Sequence, residues 1–221
     1  MQSLDYLINN PIIFISICSI LGLLVGSFLN VVIYRLPKMM ENAWHSEIQQ
    51  SLENESAFTD LNVHLSDKAS TEAFNLATPR SCCPTCNNQI SAADNIPVIS
   101  YLLLKGNCRH CKTGISARYP FVEALTGILC GLVAWHFYPA INASLLAIAL
   151  TLCLIALTGI DYDTYLLPDS ITLPLVWAGL IVNYYGVFTS FESAFWGAIA
   201  GYLSLWSVFW LFKLVTGKEG M

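Results

Sequence analysis

Charge is what this chain has least of. Asp, Glu, Lys and Arg make up only 11% of its 221 residues, and 55% of the residues are hydrophobic, whereas soluble domains are about 25% charged. That shortage excludes an ordinary soluble domain and points to an all-α, polytopic membrane protein. Residues 1–34 contain no Lys or Arg, so there is no basic n-region and a secretory signal peptide is excluded. Nowhere do Lys and Arg cluster into a phosphate track, and the formal net charge of −5 is small and dispersed, so nucleic-acid binding is discarded. A Gly-rich strand-loop-helix motif for a nucleotide-like cofactor is also missing. The apolar segments hold few polar residues, which argues against a transporter or channel.

What is present is a series of long uncharged runs. Residues 6–34 carry no charge over 29 positions, more than the roughly 20 needed to cross a bilayer, and Pro11 marks the expected start of the helix proper. Four more spans are expected at 121–138, 141–160, 171–188 and 193–212. The fold class is therefore an all-α polytopic membrane protein of about five transmembrane helices. Its parts are a first helix in 1–34, a loop at 35–120 and four further helices in 121–221. Eight of the ten Lys and Arg residues lie between Arg35 and Arg118, and the other two, Lys213 and Lys218, follow the last span. Counting spans puts all ten on one face, which the positive-inside bias makes cytoplasmic. The N-terminus is then expected outside.

The hinge 159–169 places Asp161, Asp163 and Asp169 where two apolar segments meet. Carboxylates at the lip of a span are costly, and Asp161, directly after the uncharged run 141–160, is read as functional. Asp163 and Asp169 are read as solvated loop or cap residues, with Pro168 opening the next helix. Gly22 and Gly26 form a small-xxx-small face for helix packing, as do Gly197 and Gly201, and either pair offers a dimer contact. Asn30 is either an interhelical hydrogen bond or a headgroup contact. Glu123 is read as interfacial. In the loop, Trp44, Ile48 and Leu52 recur every fourth residue, so a surface helix is expected at 41–52, with flexible connection over 53–70.

Cysteine, at eight residues, is not scarce. Cys18, Cys82, Cys130 and Cys153 are scattered, while Cys83, Cys86, Cys108 and Cys111 form two CxxC pairs with 21 residues between them. Repeated two-residue gaps suit a tetrahedral thiolate site, so these four are the expected ligands of a structural Zn²⁺ in a reducing compartment. Redox-active cysteines are the alternative, and Cys82 or His110 the alternative ligands. With four protein ligands no position stays open for substrate. The ion would fold a loop too polar to form its own core. Between the pairs, the apolar stretch 96–104 is too short to cross and lies either on the bilayer surface or under the knuckle.

Several of these stretches coincide with one family. The run 26–37 (GSFLNVVIYRLP), the CxxC pairs bracketing Asn95-Ile96-Pro97, Arg118-Tyr119-Pro120 with Glu123, and Ile160-Asp161-Tyr162-Asp163 with Leu166-Leu167-Pro168-Asp169 together resemble the type IV prepilin peptidases. The resemblance implies a multi-pass aspartic endopeptidase of the bacterial inner membrane. Such an enzyme cuts the leaders of type IV prepilins and type II secretion pseudopilins after glycine, on the cytoplasmic side. It then methylates the new N-terminal residue with S-adenosyl-L-methionine. Asp161 matches the first catalytic aspartate and the four paired cysteines match the zinc ligands. The second aspartate belongs to a Gly-x-Gly-Asp motif that does not occur before Met221. The expectation is a C-terminally truncated, inactive fragment whose methyl-donor site is not placed. The alternative is a non-catalytic scaffold presenting a zinc knuckle to a pilus or secretion partner. Asp163 is a poor substitute for the missing acid, because residues two apart on a helix point roughly 200° apart.

Overall fold

A run of apolar residues starting at Pro11 folds into one helix, α1 (Pro11–Asn54). In this computed structural model, residues 9–54 and 74–217 are described. The expected connection over 53–70 lies almost entirely outside them, as do Lys68 and Lys218. The first span was expected to end near Arg35, with a separate surface helix at 41–52. Instead α1 runs through Pro37 without interruption. Proline removes one intrahelical hydrogen bond and bends the axis, while the Met39-Met40-Glu41-Asn42-Ala43 stretch that follows is mostly good helix former.

Besides a single 3-10 turn at Ala92–Asn95, three further helices lie in the first of two compact units, residues 1–167. These are the one-turn helix α2 (Ile99–Leu103) and the long helices α3 (Arg118–Phe137) and α4 (Ile141–Thr164). Helices α1, α3 and α4 each pack against the other two. Near one end Phe14, Cys18 and Ala134 form a buried cluster. Elsewhere the bundle buries Leu29, Ile33, Val122, Leu157 and Ile160.

Close approach of α1 and α3 depends on glycine from both sides. A Cβ on Gly22 would lie 2.8 Å from Cys130 Cβ, and one on Gly26 would lie 2.9 Å from Glu123 Cα. Reciprocally, a Cβ on Gly127 would lie 2.6 Å from Leu23 Cγ, and one on Gly131 would collide with Ser19 Oγ. The expected Gly22-xxx-Gly26 face thus meets a second one, Gly127-xxx-Gly131, which the sequence reading overlooked. Such interfaces let backbones approach where lipid gives no hydrophobic drive. Gly127→Leu is therefore expected to cost about 1–3 kcal/mol by overpacking, measured as a drop in resistance to denaturant in detergent. Gly197→Leu, where an added Cβ meets no described atom within 4 Å, should leave that resistance unchanged.

The second unit, residues 168–221, holds α5 (Asp169–Tyr184) and α6 (Phe191–Thr216), which pack as a helical hairpin. Asn183 organises the turn: its Oδ1 accepts the Phe188 and Thr189 N–H groups at 3.3 and 3.1 Å. Ser190 then caps α6 through the Ser193 N–H. Among the described residues, four helices are long and apolar enough to cross a membrane: α1, α3, α4 and α6. The span expected at 171–188 is represented by α5, which has 16 residues and contains Pro174. At 1.5 Å per residue it covers about 24 Å of a core about 30 Å thick.

Candidate active site and metal centre

Each CxxC pair sits on a tight turn, and the two turns are built alike. Cys83 N donates to Asn88 O and Asn87 N to Cys83 O. In the second turn Cys108 N donates to Thr113 O and Lys112 N to Cys108 O. Bridges Cys82–Gln89 and Asn107–Gly114 close the two turns, and Asn87 and Lys112 adopt φ of 54° and 60°. Bonds Ile90 N to Ser81 O and Ile115 N to Gly106 O seal them. The whole pattern repeats at a 25-residue offset, so 81–90 and 106–115 are one local motif used twice. The shared x-Cys-x-x-Cys…Ile frame was a readable signal for it.

The turns bring Cys83, Cys86, Cys108 and Cys111 together with all four Sγ atoms within 4.8 Å of one another. A tetrahedral site with Zn–S bonds of about 2.3 Å has sulfur-sulfur edges of about 3.8 Å, and the Cys83–Cys111 pair stands at 3.7 Å. Thus the donor set fits a structural zinc ion. Cys82 and His110 are not among the clustered residues. The Thr113 hydroxyl and backbone beside Cys111 pull its thiol down to about 6. Backbone groups of Cys86 and Thr85 lower that of Cys83. At Cys86 the Asn88 backbone also pulls downward, but desolvation and the other sulfurs outweigh it and push the thiol up to about 11. Crowded sulfurs share negative charge poorly without a cation, and a divalent metal relieves that.

Charged and polar side chains tie this module to the end of the bundle. Arg109 makes a bidentate pair with Asp94, which holds the Asp94 carboxyl below the usual carboxylate range. Arg35, buried at the end of the apolar part of α1, donates to the carbonyls of Asn75, Leu76 and Pro79. Glu123, read as interfacial, is buried, and its Oε2 accepts the Val98 N–H at 2.8 Å. Val98 has φ 60° and ψ −47°, a costly conformation for a β-branched residue that its surroundings must hold in place. Asn30 is resolved as an interhelical bond, donating to Tyr119 O at 3.1 Å.

Asp161 occupies the last turn of α4, directly after Ile160, which is 1% exposed. Its carboxylate is exposed and has no hydrogen-bond or ion-pair partner among the described residues. Asp163 differs. Arg118 Nη1 donates to Asp163 Oδ1 at 2.6 Å, and Arg118 Nη2 reaches Gly159 O at 3.4 Å. The expectation of a merely solvated Asp163 therefore gives way to an ion pair linking the start of α3 to the end of α4. Because α4 stays helical through Thr164, Asp161 points about 200° away from Asp163, and the two carboxylates do not converge. Beside the ion pair, Asn30, Ile33, Tyr34, Ser116, Arg118, Tyr119 and Asp163 line a cleft of about 160 Å³. Pockets that enclose drug-sized ligands measure about 300–1,000 Å³, so this cleft does not fit S-adenosylmethionine.

Arg118 thus holds the turn that carries Asp161. Asp163→Asn is expected to cost about 1 kcal/mol, as a partly exposed pair does, and to lower activity less than tenfold. Exchanging the two charges, Arg118→Asp with Asp163→Arg, should recover part of the loss relative to either single change. Activity and thermal stability measured together over this cycle check the coupling.

Two family models match the chain. One, described as Bacterial Peptidase A24 N-terminal domain, covers residues 20–137, and the other, Type IV leader peptidase family, covers residues 148–221. The prepilin leader peptidase/N-methyltransferase of Stutzerimonas stutzeri is 52% identical over 221 residues, covering all of this chain and 72% of the relative. The protein of the same name from Pseudomonas aeruginosa is 50% identical with the same coverage. That from Neisseria gonorrhoeae is 52% identical over 207 residues, 94% of this chain and 68% of the relative. No solved structure matches.

Proposed function

Because the chain belongs to the type IV leader peptidase family, we propose that Asp161 is one of two carboxyl groups with which it cleaves prepilin leaders at the inner membrane. The relatives' name joins peptidase to N-methyltransferase, and both activities are assigned to this protein. The observation that carries the role of Asp161 is its placement: a carboxylate with no partner among the described residues, at the exposed end of a span helix and one residue beyond a fully packed isoleucine.

In this chemistry one carboxylate takes a proton from a water molecule while a protonated partner polarises the scissile carbonyl. At the edge of a low-dielectric bundle two such groups resist ionising together, which separates their apparent pKa values. Asp163 is not the partner, being held by Arg118 on the other side of the helix. S-adenosylmethionine, when bound, supplies the methyl group, and no residue is assigned to it. A zinc ion would be held by Cys83, Cys86, Cys108 and Cys111 and would have only structural work in this reading. A scaffold role is not favoured, because nothing in the module's geometry requires it.

The Arg118–Asp163 pair also supports the topology. Helices α3 and α4 run in opposite directions, and the pair joining the start of one to the end of the other supports a reading with the zinc module and Asp161 at one membrane face. Clustering of basic residues makes that face cytoplasmic, with the N-terminus outside. Prepilins and pseudopilins would meet the site from there, their apolar helices still in the bilayer. To test the reading, the intact gene encoding this chain is placed in a bacterium lacking its own prepilin peptidase. Leader-free pilin with a methylated N-terminus is the expected product by mass spectrometry. Persistence of the full-length prepilin, with the protein present in the membrane, would remove the proposal.

A further inference from the structure

We propose that residues 96–104 form a lipid-seated wedge that inserts beside α3 and fixes the zinc module at the membrane surface. The stretch begins deep. Val98 is bonded to Glu123, five residues into α3, or about 7.5 Å along its axis. Helix α3 has 20 residues, about 30 Å, so it needs nearly its whole length to cross a core about 30 Å thick. Glu123 therefore lies below the surface, and Val98 with it. The stretch then climbs back to the rim. Gly106 O accepts the Ile115 N–H at 2.7 Å, and the Tyr101 hydroxyl donates to Ile115 O at 3.4 Å, three residues before α3 begins.

Between these two fixed ends, α2 must run through the outermost layer of the bilayer. Its side chains suit that layer. Ile96, Ile99, Leu102 and Leu103 are 46%, 56%, 68% and 78% exposed, and Lys105 follows at the rim, where a long cation can reach headgroup phosphates. Water would meet that apolar group at high cost, whereas an interfacial helix buries it to about 5–10 Å. The occupant of this face is thus lipid acyl chain. The inference requires that α3 crosses the membrane, and it stands apart from the peptidase reading.

The test uses the zinc-loaded chain in vesicles of phosphatidylethanolamine and phosphatidylglycerol. A nitroxide is attached at Leu103→Cys, with Cys18, Cys82, Cys130 and Cys153 replaced by alanine, and its relaxation by oxygen and by a water-soluble nickel chelate is compared. The oxygen-to-nickel ratio is expected to be several-fold higher than at Arg80→Cys, in the exposed loop. A ratio equal to that of Arg80→Cys, meaning water, overturns the proposal. So does protection from both reagents, meaning that protein covers the face. If the substituted chain does not fold, the unaltered chain is photolabelled with a diazirine phospholipid. Adducts within 96–104 support the wedge, and their absence while α3 is labelled rejects it. Prepilin processing can succeed or fail independently of either result.

Discussion

Asp161→Asn, introduced at the native gene, is expected to lower leader removal by about 10³-fold, the usual scale for losing an acid-base group, while the protein stays at normal abundance in the membrane. The reasoning is geometric. Asp161 is exposed and has no structural partner among the described residues, so asparagine removes a charge without opening a cavity or stranding a cation. Ile160 beneath it carries the packing. Contrast with Asp163→Asn makes the test specific: that change strands Arg118, so it should disturb stability more and chemistry less. Immunoblots resolving prepilin from pilin, with the membrane protein measured alongside, give both quantities. Equal processing by the Asp161→Asn variant would exclude that residue from the reaction.

Serine at both Cys108 and Cys111 is expected to abolish metal binding, one zinc per chain in the unaltered protein, and to open residues 81–115 to protease while the spans stay inserted. Two of four ligands would be lost, and the second turn would keep its hydrogen bonds but have nothing to close against. The pH dependence follows from the thiols. Metal binds thiolate, so affinity falls as pH falls. Because Cys111 is held down at about 6, it is already ionised at neutral pH and releases no proton on uptake there. Below about 6 it too must give up a proton. The stabilisation it contributes is present at higher pH and is lost as pH falls through about 6, and the slope of log affinity against pH steepens there. Competition with a chelator across pH 5–8, with atomic absorption for stoichiometry, measures both.

Four of the spans, the clustering of the cysteine pairs and the Gly22-xxx-Gly26 face were legible because each is written locally, in an uncharged run or a fixed spacing. What was not legible depends on partners far along the chain. Arg35 finds carbonyls about 40 residues away, Glu123 a backbone N–H 25 residues away, and Arg118 a carboxylate 45 residues away. Each looked like a charge at the edge of an apolar segment, and nothing nearby in sequence says what it will meet. Gly127-xxx-Gly131 could be seen as a pattern, but its meaning appears only when α1 lies against it. The end expected for the first span near Arg35 erred in the opposite sense, since α1 continues through Pro37 and a helix in good surroundings can absorb a proline. At 171–188 hydropathy marked an apolar segment, but it did not show where the helix stops, which Asn183 decides by binding the turn that follows.

The twin turns at 81–90 and 106–115 bear on assembly. Most backbone bonds of either turn join residues of its own ten, with Gly106 N and Asn107 N reaching back to Tyr101 O and Leu104 O. The earlier pair is synthesised first and can present two sulfurs to an incoming ion before the later pair exists. Any ion held there would be only half ligated, so a complete four-sulfur site would need the second turn as well.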